Sequence, residues 1–195
     1  MADEQNTPSM PPNEDGHNEK RRESFASSAH YFVEVFVITL CAVLFLTVFL
    51  MRHTVVDGSS MQNTLQDGQH LLISDLFYEA ERGDIVVLQS SDISIKTPIV
   101  KRIIALGGDR VKMENGTVYV NGKALTENYV LEGCHFSSVP MDFPEITVSE
   151  GHVFVLGDHR DRSSDSRVFG EVDERCILGK VYACIFPFDS IGIPD

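Results

Sequence analysis

From Tyr31 to Met51 the chain reads YFVEVFVITLCAVLFLTVFLM, apolar throughout apart from Glu34 and two threonines, and it carries no charge from Val35 to Met51. An uncharged run of that length is close to the lower limit for a helix that crosses a bilayer. Beyond Arg52 the pattern changes to short alternating or apolar stretches: HLLISDL, DIVVLQ, IVKRIIAL, RVKME, TVYV, HVFVLG and KVYACIF. Each has the length and residue choice of a β-strand. ENGT (Glu114 to Thr117) and VNGK (Val120 to Lys123) place Asn-Gly where tight hairpin turns require positive φ, so Lys112 to Leu125 reads as consecutive antiparallel strands. The pattern predicts a mainly β chain: one N-terminal transmembrane helix, then an antiparallel β-sheet domain.

The residues before the apolar run are polar, contain prolines and have almost no aliphatic side chains, so residues 1–28 read as a disordered tail. Residues 29–52 read as the anchor and 53–195 as the β-rich domain. A cleaved leader fits less well. The run starts late, exceeds a usual h-region of about 7–15 residues and lacks a small-x-small site at its end. Lys20, Arg21 and Arg22 precede it, while only Arg52 and His53 follow closely, which places the tail in the cytoplasm and the domain outside.

A net charge of −13 over 195 residues argues against a nucleic-acid surface, which would be basic, and leaves a membrane role open. Of four cysteines, Cys41 lies in the apolar run, and Cys134, Cys176 and Cys184 allow at most one disulfide within the chain. The seven histidines are scattered, without HExxH, and no cysteine pair has zinc-ligand spacing, so neither metal nor cofactor is expected. Asn115-Gly116-Thr117 also fits a glycosylation acceptor, but a hairpin turn accounts for the same residues. LEGCHFSSVPMDFPEITVSEG, Leu131 to Gly151, reads as an excursion between strands.

With no metal expected, the candidate chemistry rests on a nucleophile and a base. Ser60 lies in VDGSSMQNTL just after the apolar run, but a serine hydroxyl needs a base to take its proton and donors to hold the resulting oxyanion. The segment has neither GxSxG nor SxxK. Two bases are open at this point: His159 beside Asp158, or Lys101 within the apolar TPIVKRIIALGGD. An inward-facing Lys101 would be desolvated and neutral, whereas plain alternation would point it to water.

An anchor followed by GSSMQNTL, RGDIVVL, IVKRIIALGGDRV and VLGDHRDRSSDSRVFG resembles, in order and spacing, the bacterial type I signal peptidases, membrane-anchored Ser/Lys proteases. The likeness runs from Phe32 to about Phe186. It implies Ser60 as nucleophile, Lys101 as general base, Ser163 as a hydroxyl orienting the amine, and Asp165 with Arg167 as a supporting ion pair. Arg102, Asp158 and Arg160 match polar residues that brace the site, and Gly58 stands where a second oxyanion donor is expected, offering backbone only.

The same resemblance implies that Val56, Asp57, Met61, Leu65, Ile99 and Val100 flank the bound chain, that the substrates are secretory precursors with signal peptides at the outer face of the cytoplasmic membrane, and that no cofactor takes part. An extended substrate would pair with the strand before Lys101. Asn63, Gly107 and His159 replace the family's usual proline, proline and asparagine. Two rivals differ in kind. A self-cleaving Ser/Lys regulator would be soluble with a DNA-binding module, which fits poorly, and a catalytically inert anchored binding protein would tolerate loss of Ser60.

Overall fold

The computed structural model describes residues 30–45, 51–90, 95, 97–130 and 142–194. Residues 30–45 are helical (α1) and form a unit separate from the one that holds the rest of the described chain. Among the described residues no helix is long and apolar enough to cross a membrane, and the tail expected over residues 1–28 lies outside them.

The second unit is built from antiparallel strands. In chain order they are β1 (Arg52–Val55), β2 (His70–Ser74), β3 (Ile85–Leu88), β4 (Ile99–Leu106), β5 (Arg110–Glu114), β6 (Thr117–Val120), β7 (Lys123–Ala124), β8 (Phe143–Thr147), β9 (His152–Leu156), β10 (Val172–Asp173) and β11 (Ile177–Phe186). One sheet has the order β1-β2-β11-β3-β4-β9-β10 and a smaller one β7-β6-β5-β8. The hairpins β5–β6 and β6–β7 turn on Asn115-Gly116 and Asn121-Gly122. All four residues have positive φ, the conformation that matches the twist of paired strands.

Strand β4 decides where the site lies. It is buried from Val100 to Ala105 because it touches three apolar clusters. Val100 joins Val56, Met61, Leu65, Leu71 and Val87. Ile104 and Ala105 join Val111, Met113, Val118 and Phe154 of the junction between sheets. Ile103 packs with Val86, Leu88, Val153 and Val155. A central strand covered on both faces leaves a lysine no side open to water.

Seven expected strand segments appear as strands, β4, β5 and β6 with the expected ends. The stretch from Leu131 to Gly151 is not wholly an excursion: Phe143–Thr147 forms β8 and pairs with β5, while 131–141 lies outside the described residues. Strands β1 and β10, four and two residues long, are exposed or short and carry no periodic signal. Among the described cysteines Cys41, Cys176 and Cys184 are free thiols.

Candidate active site

Ser60 sits in a tight turn between β1 and β2. Backbone N–H groups of Gln62 and Leu65 donate to the carbonyls of Ser59 and Met61, at 3.1 and 2.8 Å. Met61 and Leu65, one helical turn apart, are both 1% exposed, so the turn is fastened to the core by side chains worth about 1.5–3 kcal/mol each on burial. Asn63 within it has φ +92°, which the fixed ring of proline forbids and asparagine tolerates. That accounts for the first departure from the family pattern. Gly107 has a different reason: a Cβ there would lie 3.0 Å from the Glu150 Cα and the Ser149 carbonyl oxygen.

Lys101 reaches this turn from the middle of β4. Its Nζ donates to Ser60 Oγ at 2.7 Å and to the Val100 carbonyl at 2.9 Å. Once the amine is neutral, the same separation lets the hydroxyl donate to nitrogen. The side chain is buried, and burial pushes the amine down to about 8 from its ordinary 10.5, against the opposing pull of the Asp165 and Asp158 carboxylates. An amine so placed is partly neutral near physiological pH and touches a hydroxyl, the arrangement a general base needs.

The other candidate base is committed elsewhere. Asp158 is fully buried and accepts two bonds from Arg102, Nε at 3.0 Å and Nη2 at 2.8 Å, plus the Thr64 hydroxyl at 2.6 Å. The His159 ring lies 3.2 Å from Gln62 Oε1, and it is the His159 backbone N–H that meets Ser60, at the carbonyl, 3.0 Å away.

Three ion pairs have buried guanidinium groups. Besides Arg102–Asp158, Arg167 grips Asp165 through Nε and Nη2, both at 2.8 Å, and Arg160 holds Glu127 at 2.5 Å. The pairs are linked. Asp165 accepts the Gly157 N–H at 3.1 Å, Arg160 Nε donates to the Gly157 carbonyl at 3.0 Å, and Arg167 Nη2 donates to the Arg160 carbonyl at 2.7 Å. Arg102 also lies over the Tyr129 ring, 4.0 Å from its centroid, and the Tyr129 hydroxyl donates to Glu127 at 2.9 Å. Satisfied pairs of this kind fix positions more than they add stability.

Several expected placements differ in the structure. Ser163 is 1% exposed, yet its hydroxyl has no hydrogen-bond partner among the described residues, so it does not hold the Lys101 amine here. It packs against Gly157, where a Cβ would fall 2.2 Å from Ser163 Oγ and 2.6 Å from the Ser60 carbonyl oxygen. The Gly58 N–H donates to Asp67 Oδ1 at 2.8 Å and is therefore engaged rather than free for an oxyanion.

The six residues expected beside the substrate do not form one wall. Val56, Met61, Leu65 and Val100 share one buried cluster beneath the Ser60 turn; Ile99 packs into the cluster of Val86 and Ile103; Asp57 is exposed. Thr64, Asp67, Glu127, Tyr129 and Gly157 were not singled out from sequence. Glu127 and Tyr129 lie in LTENYV, which has no periodic pattern, so only their contacts reveal them.

Residues 29–186 match the family described as "Signal peptidase, peptidase S26". The chain is 34% identical over 186 residues to "Signal peptidase I" of Bacillus licheniformis, covering 91% of this chain and 99% of that protein. It is 35% identical over 182 residues to "Signal peptidase I P" of Bacillus subtilis subsp. natto, covering 89% and 96%. A crystal structure of a signal peptidase I from Enterococcus faecalis is 33% identical and covers 53% of this chain and 97% of its own, with a TM-score of 0.44. With a family match spanning α1 through β11 and relatives aligned over nearly their whole length, this chain belongs to the signal peptidase family, peptidase S26.

Proposed function

We propose that this signal peptidase removes N-terminal signal peptides from secretory precursors through a Ser60/Lys101 dyad. The observation that carries the reading is the 2.7 Å contact between the Ser60 hydroxyl and a buried amine whose proton affinity is lowered to about 8. Neutral Lys101 takes the Ser60 proton as the oxygen attacks the scissile carbonyl. The protonated amine then passes that proton to the leaving amine, and water, deprotonated by Lys101, hydrolyses the acyl-enzyme. The Ser60 N–H faces the oxyanion, and the Gly58 N–H joins it on leaving Asp67.

Arg102, Asp158, Arg160, Asp165 and Arg167 act as braces, and Ser163 lines the buried side of the dyad. Val56, Met61, Leu65 and Val100 form the apolar floor that admits only small side chains next to the scissile bond, with Asp57 and Ile99 at its margins. The reaction draws on the chain's own groups and no cofactor.

Residues 29–52 anchor the enzyme, with the tail in the cytoplasm and the catalytic domain outside. Placing the domain at the outer membrane face brings it to precursors still held by their signal sequences. Ser60→Ala abolishes precursor cleavage on this reading, whereas an inert binding protein on the same fold would lose nothing. Protease added to spheroplasts digests the domain and spares the tail; the reverse result would overturn the orientation.

A further inference from the structure

The histidines are scattered along the chain, yet the fold brings two of them together. His53 of β1 and His70 of β2 lie 17 residues apart in sequence, and their Nε2 and Nδ1 atoms are 2.7 Å apart, with ring centroids at 4.8 Å. The register explains the meeting. His53 pairs with Leu72 and Val55 pairs with His70, so the two imidazoles are diagonal neighbours on one face of the ladder. Arg52 alternates to the other face, where it lies 3.5 Å from the Asp75 carboxylate.

The pair is held from one side and open on the other. Phe186, opposite His70 on β11, sets its ring edge-on to the imidazole with centroids 5.2 Å apart, and Phe188 meets Phe186 in the same way at 5.7 Å. His70 is half-buried and His53 exposed. Two imidazole nitrogens this close can share one proton, but they repel if each carries its own. An ion bound at ~2.0–2.1 Å from both nitrogens would hold them roughly 3 Å apart, a small ring rotation from the observed separation.

We propose that His53 and His70 form a two-point site for a divalent transition-metal ion of the zinc, nickel and copper class. Imidazole nitrogen suits these ions, whereas magnesium and calcium prefer oxygen. Among the described residues no group of three or more His, Cys, Asp or Glu is placed to hold a metal, so the remaining coordination positions take water or a donor from outside the chain. A net charge of −13 favours cations around the molecule. The consequence follows from the strand that His53 belongs to. β1 is at the edge of the larger sheet, and its ladder with β2 continues through the Val56 N–H to the Gln69 carbonyl at 2.8 Å and the Gly68 N–H to the Val56 carbonyl at 2.9 Å, closing the loop that carries Ser60. An ion bridging the two histidines ties the open end of that hairpin. It ligates neither Ser60 nor Lys101, so the inference stands apart from the dyad.

The full chain, without an affinity tag and in detergent, is titrated with zinc chloride in a calorimeter. The expected result is one ion per chain with a micromolar dissociation constant, binding more than tenfold weaker in H53Q and in H70Q, and unchanged in H152Q and H159Q. Magnesium chloride should give no binding heat. Zinc should also slow hydrogen exchange at the Val56 amide several-fold in the parent and leave it unaltered in H53Q.

Absence of zinc binding in the parent would overturn the inference. Binding that survives in H53Q or in H70Q would put the ion on a single imidazole, another histidine or a thiol, and would overturn it as well. Zinc bound at the pair without any change in Val56 exchange would refute the clamp. Should H70Q fold poorly, the copper(II) spectrum of the parent decides without a variant: paramagnetic resonance should show hyperfine coupling to two imidazole nitrogens, and coupling to one alone would sink the two-point site.

Discussion

Replacing Lys101 by methionine separates the energetic cost of the buried amine from its chemical use. In the unfolded chain the amine titrates near 10.5 and in the folded chain near 8, so between those values the unfolded state binds more protons and stability rises with pH. Above about 10.5 both states are neutral and the penalty vanishes; it grows as pH falls and is complete below about 8. At about 1.4 kcal/mol per tenfold change in proton affinity, the penalty at pH 7 is ~3 kcal/mol. The bonds to Ser60 Oγ and the Val100 carbonyl offset part of it, each worth about 1 kcal/mol.

Lys101→Met should therefore be more stable than the parent by ~1–3 kcal/mol at pH 7, and the gap should close towards pH 10. Denaturant unfolding of the full chain in detergent at several pH values measures this directly. Precursor cleavage by the variant should be absent at every pH. For the parent, kcat/KM should fall tenfold per pH unit below an inflection at about 8. A stability gap that does not change with pH, or a parent inflection near 6.5 that survives in the variant, would refute burial of a neutral base and return the role to a histidine.

Gly157→Ala should cost both folding and cleavage, since its Cβ would meet Ser163 Oγ at 2.2 Å and the Ser60 carbonyl at 2.6 Å. Adding Ser163→Ala should not restore activity, because the backbone clash remains. Glu127→Gln leaves the buried Arg160 guanidinium without its counter-charge and should destabilise by about 3–5 kcal/mol in chemical unfolding; a loss under 1 kcal/mol would show that the pair is dispensable. Gly58→Ser meets open space but adopts φ +98°, so a loss of roughly 1–2 kcal/mol is expected, matched by Gly58→Ala. A clearly smaller loss for serine would mean that its hydroxyl compensates.

The strands, their turns and the two residues proposed to react could be read from the chain because each leaves a local mark. IVKRIIAL is an apolar run with one charge, Asn-Gly pairs demand left-handed turns, and the ordered motifs from GSSMQNTL to VLGDHRDRSSDSRVFG place Ser60 and Lys101 in one family pattern. Alternation alone left the direction of Lys101 undecided. The tertiary structure settles it by covering both faces of β4 with three separate clusters, a fact of packing that no window of sequence contains. Glu127 and Tyr129 were invisible for a related reason. Their contacts with Arg160 and Arg102 join positions 33 and 27 residues apart, and a loop residue carries no periodicity to announce such a partner. The engagement of the Gly58 N–H by Asp67, and a Ser163 hydroxyl without a hydrogen-bond partner among the described residues, also belong to the folded chain alone, because hydrogen-bond geometry is fixed in tenths of an ångström by atoms distant in sequence.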